Sequence, residues 1–153
     1  MSHHLVARKL LRCLVLLSLV ALVLPTTSWG ANRHVRAGAS GNGSGSDWTN
    51  AYTNLPATLI RGDTYYVAAG SYGNHNFNDT ETGTTVITIK AVTIAEHGTD
   101  VGWSNGYVGQ ATFVAPAGQG VWNFQKGYYT LDGVYGCSPT STCGSRSART
   151  PAT

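Results

Sequence analysis

The chain has 153 residues and 16.1 kDa, a formal charge of +3, and a composition that is 42% hydrophobic but only 11% charged. This length holds one domain at most, and eight Tyr, four Trp and three Phe in so lightly charged a polypeptide exclude an open, solvated chain. A coiled coil, with its charge-rich heptads, is also disfavoured.

In chain order, Arg8, Lys9 and Arg12 precede an uncharged, largely apolar run from Cys13 to Leu24 that Pro25 interrupts. A basic start, a short apolar stretch and small residues at Ser28 and Gly30 make a secretory signal peptide pattern, with the cut placed between Gly30 and Ala31. The run is shorter than the roughly 20 residues a bilayer span needs. A retained anchor is therefore the weaker reading, no stable membrane anchor is expected after cleavage, and the expected location is secreted, extracellular or periplasmic. Loss of the leader removes three of the ten basic residues and none of the seven acidic ones, leaving seven of each. The remaining cations are scattered from Arg33 to Arg149, without the clustering that phosphates demand, so no nucleic-acid partner is expected.

Ala39 to Ser46 is a Gly- and Ser-rich loop. Asn42 and Asp47 lack the spacing and closing Glu of a calcium-binding helix-loop-helix, so no cofactor is read from this stretch. Trp48, Ala51 or Tyr52, Leu55 and Leu59 then fall at three- and four-residue steps behind the capping candidates Ser46 and Asp47, which predicts a short amphipathic helix broken by Pro56. Arg61-Gly62-Asp63 reads as a turn rather than as an integrin-binding tripeptide.

Five strands are predicted: Thr64–Ala68, Val86–Lys90, Ala111–Val114, Val121–Phe124 and Tyr128–Leu131, each rich in β-branched or aromatic residues and bounded by Gly, Asn, Asp or Pro. No long helical segment separates them, which points to an all-β chain. Tyr65-Tyr66 with Gly70 and Tyr72-Gly73 is echoed by Tyr128-Tyr129 with Gly133 and Tyr135-Gly136, 63 positions on. With the intermediate strands this predicts a repeat of about 21 to 25 residues and a stacked solenoid rather than an antiparallel sandwich. The helical segment would then cap the first turn.

The segments Ser46-Asp47-Trp48, Arg61-Gly62-Asp63-Thr64-Tyr65-Tyr66-Val67, Gly70-Ser71-Tyr72, Ile87-Thr88-Ile89-Lys90 and Tyr129-Thr130-Leu131-Asp132-Gly133 resemble the opening of secreted right-handed parallel β-helix proteins of the pectin-lyase-like superfamily. The resemblance implies an all-β, right-handed parallel β-helix of few coils with a short N-terminal capping helix. The implied domains are a leader at 1–30, a cap and first coils at 31–136, and an irregular tail at 137–153 left by truncation or a frameshift. It also implies a parent that binds or degrades polysaccharide as a lyase or glycoside hydrolase, completed by C-terminal coils of the same fold, with room for calcium in that longer protein. The alternative is a non-catalytic cell-surface or adhesion solenoid.

For this chain no catalytic set is assembled, and no metal site is assigned. β-Elimination needs a group that neutralises the uronate carboxylate beside an Arg or Lys base, and inverting hydrolysis needs paired carboxylates about 6.5–9.5 Å apart. Lys90 and Asp132 are strand or strand-end residues that could point outward on stacked coils, and Asp132-Gly133 reads more simply as a turn. The ligand-binding candidates are Tyr72, His75, Phe77, Asn78, Asp79 and Glu81, in a polar, aromatic segment expected to be a loop between coils, where aromatic rings stack on sugars and carboxylates bind hydroxyls. A solvated turn with Phe77 tucked inward is the favoured reading of the same segment. His75 has no nucleophile partner in sequence. Cys137 and Cys143 are the disulfide candidates, closing a local loop in an oxidising compartment.

Overall fold

The computed structural model describes residues 30–133; residues 1–29, which hold nearly all of the predicted leader, and Cys137 and Cys143 with the rest of the predicted tail, lie outside the described residues. Eight strands are present: β1 (Asn32–Val35), β2 (Thr64–Val67), β3 (Gly70–Tyr72), β4 (His75–Phe77), β5 (Ile87–Ala91), β6 (Ala111–Phe113), β7 (Trp122–Phe124) and β8 (Tyr129–Asp132). They form a four-stranded sheet in the order β1-β2-β5-β8 and two pairs, β3-β6 and β4-β7. Every pairing is parallel, which removes the antiparallel sandwich for the described residues. From β2 onward the chain visits the large sheet, the β3-β6 pair and the β4-β7 pair in turn, and returns to the large sheet twice.

The five predicted strands lie within one or two residues of their expected bounds, so the all-β expectation holds. The equal repeat does not. Thr64 pairs with Thr88, a step of 24 residues from 64 to 88, but Thr88 pairs with Thr130, a step of 42 from 88 to 130. Tyr65 lies beside Ile89 and then Leu131, so the repeated Tyr-Tyr dipeptides are three positions out of register. The first passage is compact because residues 68–69 and 73–74 turn the chain in two positions each; the second carries insertions at 92–110 and 114–121.

Alternate side chains of each strand point inward, as the two-residue period of a strand requires. Tyr65, Val67, Tyr72, Phe77, Ile87 and Ile89 pack with Val35, Leu55 and Leu59 into one core. Like side chains stack along it: Phe77 lies on Phe124 with centroids 4.4 Å apart and planes 5° from parallel, and Tyr72 lies on Phe113 at 5.3 Å.

The capping helix over Trp48–Ile60 is absent; the segment is a run of bends that still delivers Leu55 and Leu59 to the core. The reason is competition for backbone donors. At the start of the segment Asp47 accepts from the Asn50 amide at 2.8 Å and from its side chain, as a helix N-cap would, but the residues beyond do not carry a helix on. Pro56 has no donor. Further on, the Leu59 amide donates to Asp79 Oδ1 at 2.6 Å and the Ile60 amide to the Tyr65 hydroxyl at 2.9 Å. The segment also covers the outer edge of β1, through His34 N to Gly45 O, Tyr52 N to His34 O and Arg36 N to Tyr52 O.

Arg61-Gly62-Asp63 is the predicted turn, with Gly62 at φ 91°, and both its charges face the protein. Arg61 donates to the carbonyls of Asp79 (2.7 Å), Tyr128 (2.9 Å) and Gly127 (3.0 Å), with its guanidinium 4.6 Å over the Tyr129 ring.

Asp79 joins three levels of the array, because its carboxylate also accepts from the Tyr129 hydroxyl at 3.0 Å. Asp79→Ala leaves the buried Leu59 amide unpaired, and the expected loss is about 2–4 kcal/mol of unfolding free energy, read by urea denaturation, with Asp79→Asn losing less.

Candidate functional site

The six ligand-binding candidates do not share one surface. Tyr72, His75, Phe77 and Asp79 are buried, whereas Asn78 and Glu81 are exposed. The expected loop contains β4, which puts His75 and Phe77 inward and Asn76 outward. The Tyr72 hydroxyl donates to Ala68 O at 2.8 Å, Asp79 is occupied as described above, and Glu81 accepts from the Gly127 amide at 2.8 Å. Their polar groups are spent within the array, apart from Asn78 at the surface and His75 Nε2, which is buried with no hydrogen-bond partner among the described residues.

A different group of polar residues gathers on the outward face of the four-stranded sheet. Parallel register makes two columns there: Asn32, Thr64, Thr88 and Thr130; and His34, Tyr66, Lys90 and Asp132. Lys90 Nζ lies 2.7 Å from Glu96 Oε2 and 3.5 Å from Asp132 Oδ2. The hydrogen bond to Glu96 holds the Lys90 ammonium above its ordinary range, and burial, followed by the charge of Glu96, raises the Tyr66 phenol.

Residues 92–110 fold over one end of this face. Val92 joins Trp48, Tyr66 and Ala68 in a second apolar cluster, with Trp103, Tyr107 and Val108 packed against it. Trp48 anchors the loop by donating from Nε1 to His97 O at 3.0 Å and from its amide to Val101 O at 3.1 Å. His97 stacks on Trp103 with centroids 4.0 Å apart and its Nε2 is 2.8 Å from Asp100 Oδ1. Between loop and sheet lies a cleft of about 280 Å³, lined by Asn32, Tyr66, Glu96, His97, Thr99 and Asp100 among others. Its floor at Gly98 has no room for a side chain: a Cβ would sit 2.7 Å from His34 Nε2 and 3.1 Å from the Tyr66 ring, and φ is +79°.

Amide, phenol, imidazole and two carboxylates around one opening can exchange hydrogen bonds with a hydroxyl-rich ligand. With Asp132 close to Lys90, the carboxylates outnumber the ammonium. No group of three or more His, Cys, Asp or Glu side chains among the described residues is arranged to hold a metal ion.

Sequence reasoning allowed Lys90 an outward position, read Asp132 as a turn where the structure puts it at the end of β8, set His97 aside as a loop residue, and passed over His34, Tyr66, Glu96 and Asp100. Strand alternation was the signal for Tyr66, and the His97–Asp100 spacing was a weak one for the loop. Gly102-Trp103-Ser104-Asn105-Gly106 also has the Gly-x-Ser-x-Gly spacing of a nucleophile elbow. Here no strand precedes it and only a single 3₁₀ turn, Asn105–Tyr107, follows. Ser104 caps that turn, its side chain accepting from the Gly106 amide at 3.3 Å. His97 Nδ1 has no hydrogen-bond partner among the described residues, so Ser104, His97 and Asp100 do not form a relay.

No protein-family model matches the chain, and comparison with curated proteins and with solved structures finds no significant similarity.

Two buried imidazoles give the fold a pH limit. Burial holds His34 and His75 below the ordinary histidine range, and neither Nε2 has a partner among the described residues. A depressed histidine leaves stability intact above the unfolded value of about 6.5 and removes it as pH falls below that, by up to about 1.4 kcal/mol per unit for each group. The histidine contribution to the melting temperature is therefore expected to be flat from pH 8 to 7 and to fall from pH 6.5 to 5. His75→Phe is expected to flatten that fall; an unchanged slope would contradict the assignment. Asp47, held down to about 2 by hydrogen bonds from Asn50, titrates outside this window.

Proposed function

We propose that this chain forms the first coils of a secreted right-handed parallel β-helix that binds a neutral, hydroxyl-rich polysaccharide along the outward face of its largest sheet. The observation that carries the reading is the polar cleft, which is lined by Asn32, the first residue of the Asn-Thr column, and walled by Glu96 and Asp100. Carboxylates accept from sugar hydroxyls, whereas a polyuronate would meet the carboxylates of Glu96 and Asp100 that wall the cleft. The cyclic order of the strands through three parallel sheets supports winding in coils, and parallel crossovers are right-handed in about 98% of cases. The leader supports export.

Further coils of the same kind are the partner this reading assigns to the last strands. Among the described residues β6, β7 and β8 each pair on one side only, and Trp122, Phe124 and Leu131 at that level are exposed. They carry one acidic or basic residue, Asp132, and so lack the charged guards of a free edge. Binding by this chain is proposed without turnover.

Affinity electrophoresis tests this. The chain is expected to be retarded by xylan or a mixed-linkage glucan more than by polygalacturonate or alginate. Glu96→Gln combined with Asp100→Asn is expected to weaken the retardation ten-fold or more, the scale of losing charge-assisted hydrogen bonds. No retardation by any of these polymers would overturn the reading and leave the array as a rigid spacer.

A further inference from the structure

Asp63 ends the turn before β2 and is 4% exposed. A carboxylate so placed needs partners on both oxygens. Oδ2 lies 2.8 Å from Arg33 Nε, an ion pair between the first two strands. Oδ1 accepts from the backbone N of Ala31 at 2.8 Å, and Ala31 O accepts from the Thr64 amide at 2.9 Å.

Ala31 is the first residue after the cut placed by the leader pattern. In the uncut chain its nitrogen is a neutral amide. Once cut, the same nitrogen is an ammonium, with one N–H already aimed at Asp63 and the others open to water, since Ala31 is exposed. Ion-assisted hydrogen bonds are roughly twice as strong as neutral ones. Gly30 makes the corner a natural end: a Cβ there would overlap the Gly62 carbonyl, so before cutting the chain runs hard against that turn.

Resting on the secretion reading, we propose that removal of the leader between Gly30 and Ala31 completes the fold, the new α-ammonium seating on Asp63 and fastening β1 to β2. Processing is then a stabilising step. The chain that still carries its leader has the weaker contact at this corner, and the exported chain has the stronger one.

The titratable groups around the site are Asp63, Arg33, Tyr52 and Tyr65. Burial pushes Tyr65 up to about 12. An amine raised by Asp63 contributes stability that is fully present below its ordinary range of about 7.7–8.0 and is lost as pH rises through the raised value.

Two forms of residues 31–153 test the contact, one with a free Ala31 amine, released from a fusion by a protease that leaves no extra residue, and one acetylated there. Both carry the same surrounding groups, so their difference isolates the amine. The free form is expected to melt about 4 °C or more above the acetylated form at pH 7, with the gap closing as the amine loses its proton. Equal melting at pH 7, or a gap unchanged to pH 10, would overturn the proposal. Asp63→Asn is expected to abolish the gap; if that variant does not fold, the pH course of the gap decides alone. The cut is tested separately, by the intact mass of the protein exported from a secreting host. A first residue other than Ala31 would remove the processing step from the proposal, while the melting comparison still reports on the contact itself.

Discussion

Parallel pairing of β2 with β5 is the constraint to which the other elements are fitted. It fixes Thr64 beside Thr88 and Tyr66 beside Lys90, and the two-residue period of a strand then decides which side chains face in. A slip of β5 by one residue against β2 would send Ile87 and Ile89 outward and bring Thr88 and Lys90 into the core. Lys90 cannot be buried there without its two carboxylate partners, so the register is specified from both faces at once.

The two ends of the array solve the same problem differently. A strand edge offers unpaired amides and carbonyls, and an open core offers apolar side chains. At the β1 end both are covered by one irregular segment, which spends backbone groups on His34 and Arg36 and inserts Leu55 and Leu59. A helix was not required for this, and would have withdrawn the Leu59 and Ile60 amides from Asp79 and Tyr65. At the β8 end nothing comparable is present among the described residues, and Phe124 is half exposed. Among the described residues this asymmetry gives the array a direction, covered at β1 and uncovered at β8.

Strand positions were legible in sequence because β-branched and aromatic runs bounded by turn residues carry a local signal. β1, β3 and β4 were not, since Asn32-Arg33-His34-Val35, Gly70-Ser71-Tyr72 and His75-Asn76-Phe77 are strands by virtue of the neighbour they pair with, not by propensity. The helical stripe at Trp48 to Leu59 was a true amphipathic pattern, but burial of the stripe did not need helical backbone once Asp79 and the Tyr65 hydroxyl claimed the Leu59 and Ile60 donors. The Tyr-Tyr echo misled for a related reason: Tyr128 sits at φ 61° just before β8, and only Tyr129 is inside the strand. The cleft was least legible, because it joins strand columns to residues 92–110, whose meeting depends on the whole register.

The insertions explain why polar chemistry collects where it does. Extra residues enter at the corners between sheets, so residues 92–110 lengthen the second passage without displacing Ile89 from Tyr65 or Phe124 from Phe77. A corner loop that long must be held by something, and here the holder is Trp48 from the cap, through its indole bond to His97 and its contacts with Trp103 and Tyr107. The segment that seals the core at Leu55 and Leu59 therefore also positions the outer wall of the cleft. Changes in the cap would be felt at Glu96, His97 and Asp100, although these lie far away in sequence, because Trp48 is packed against both.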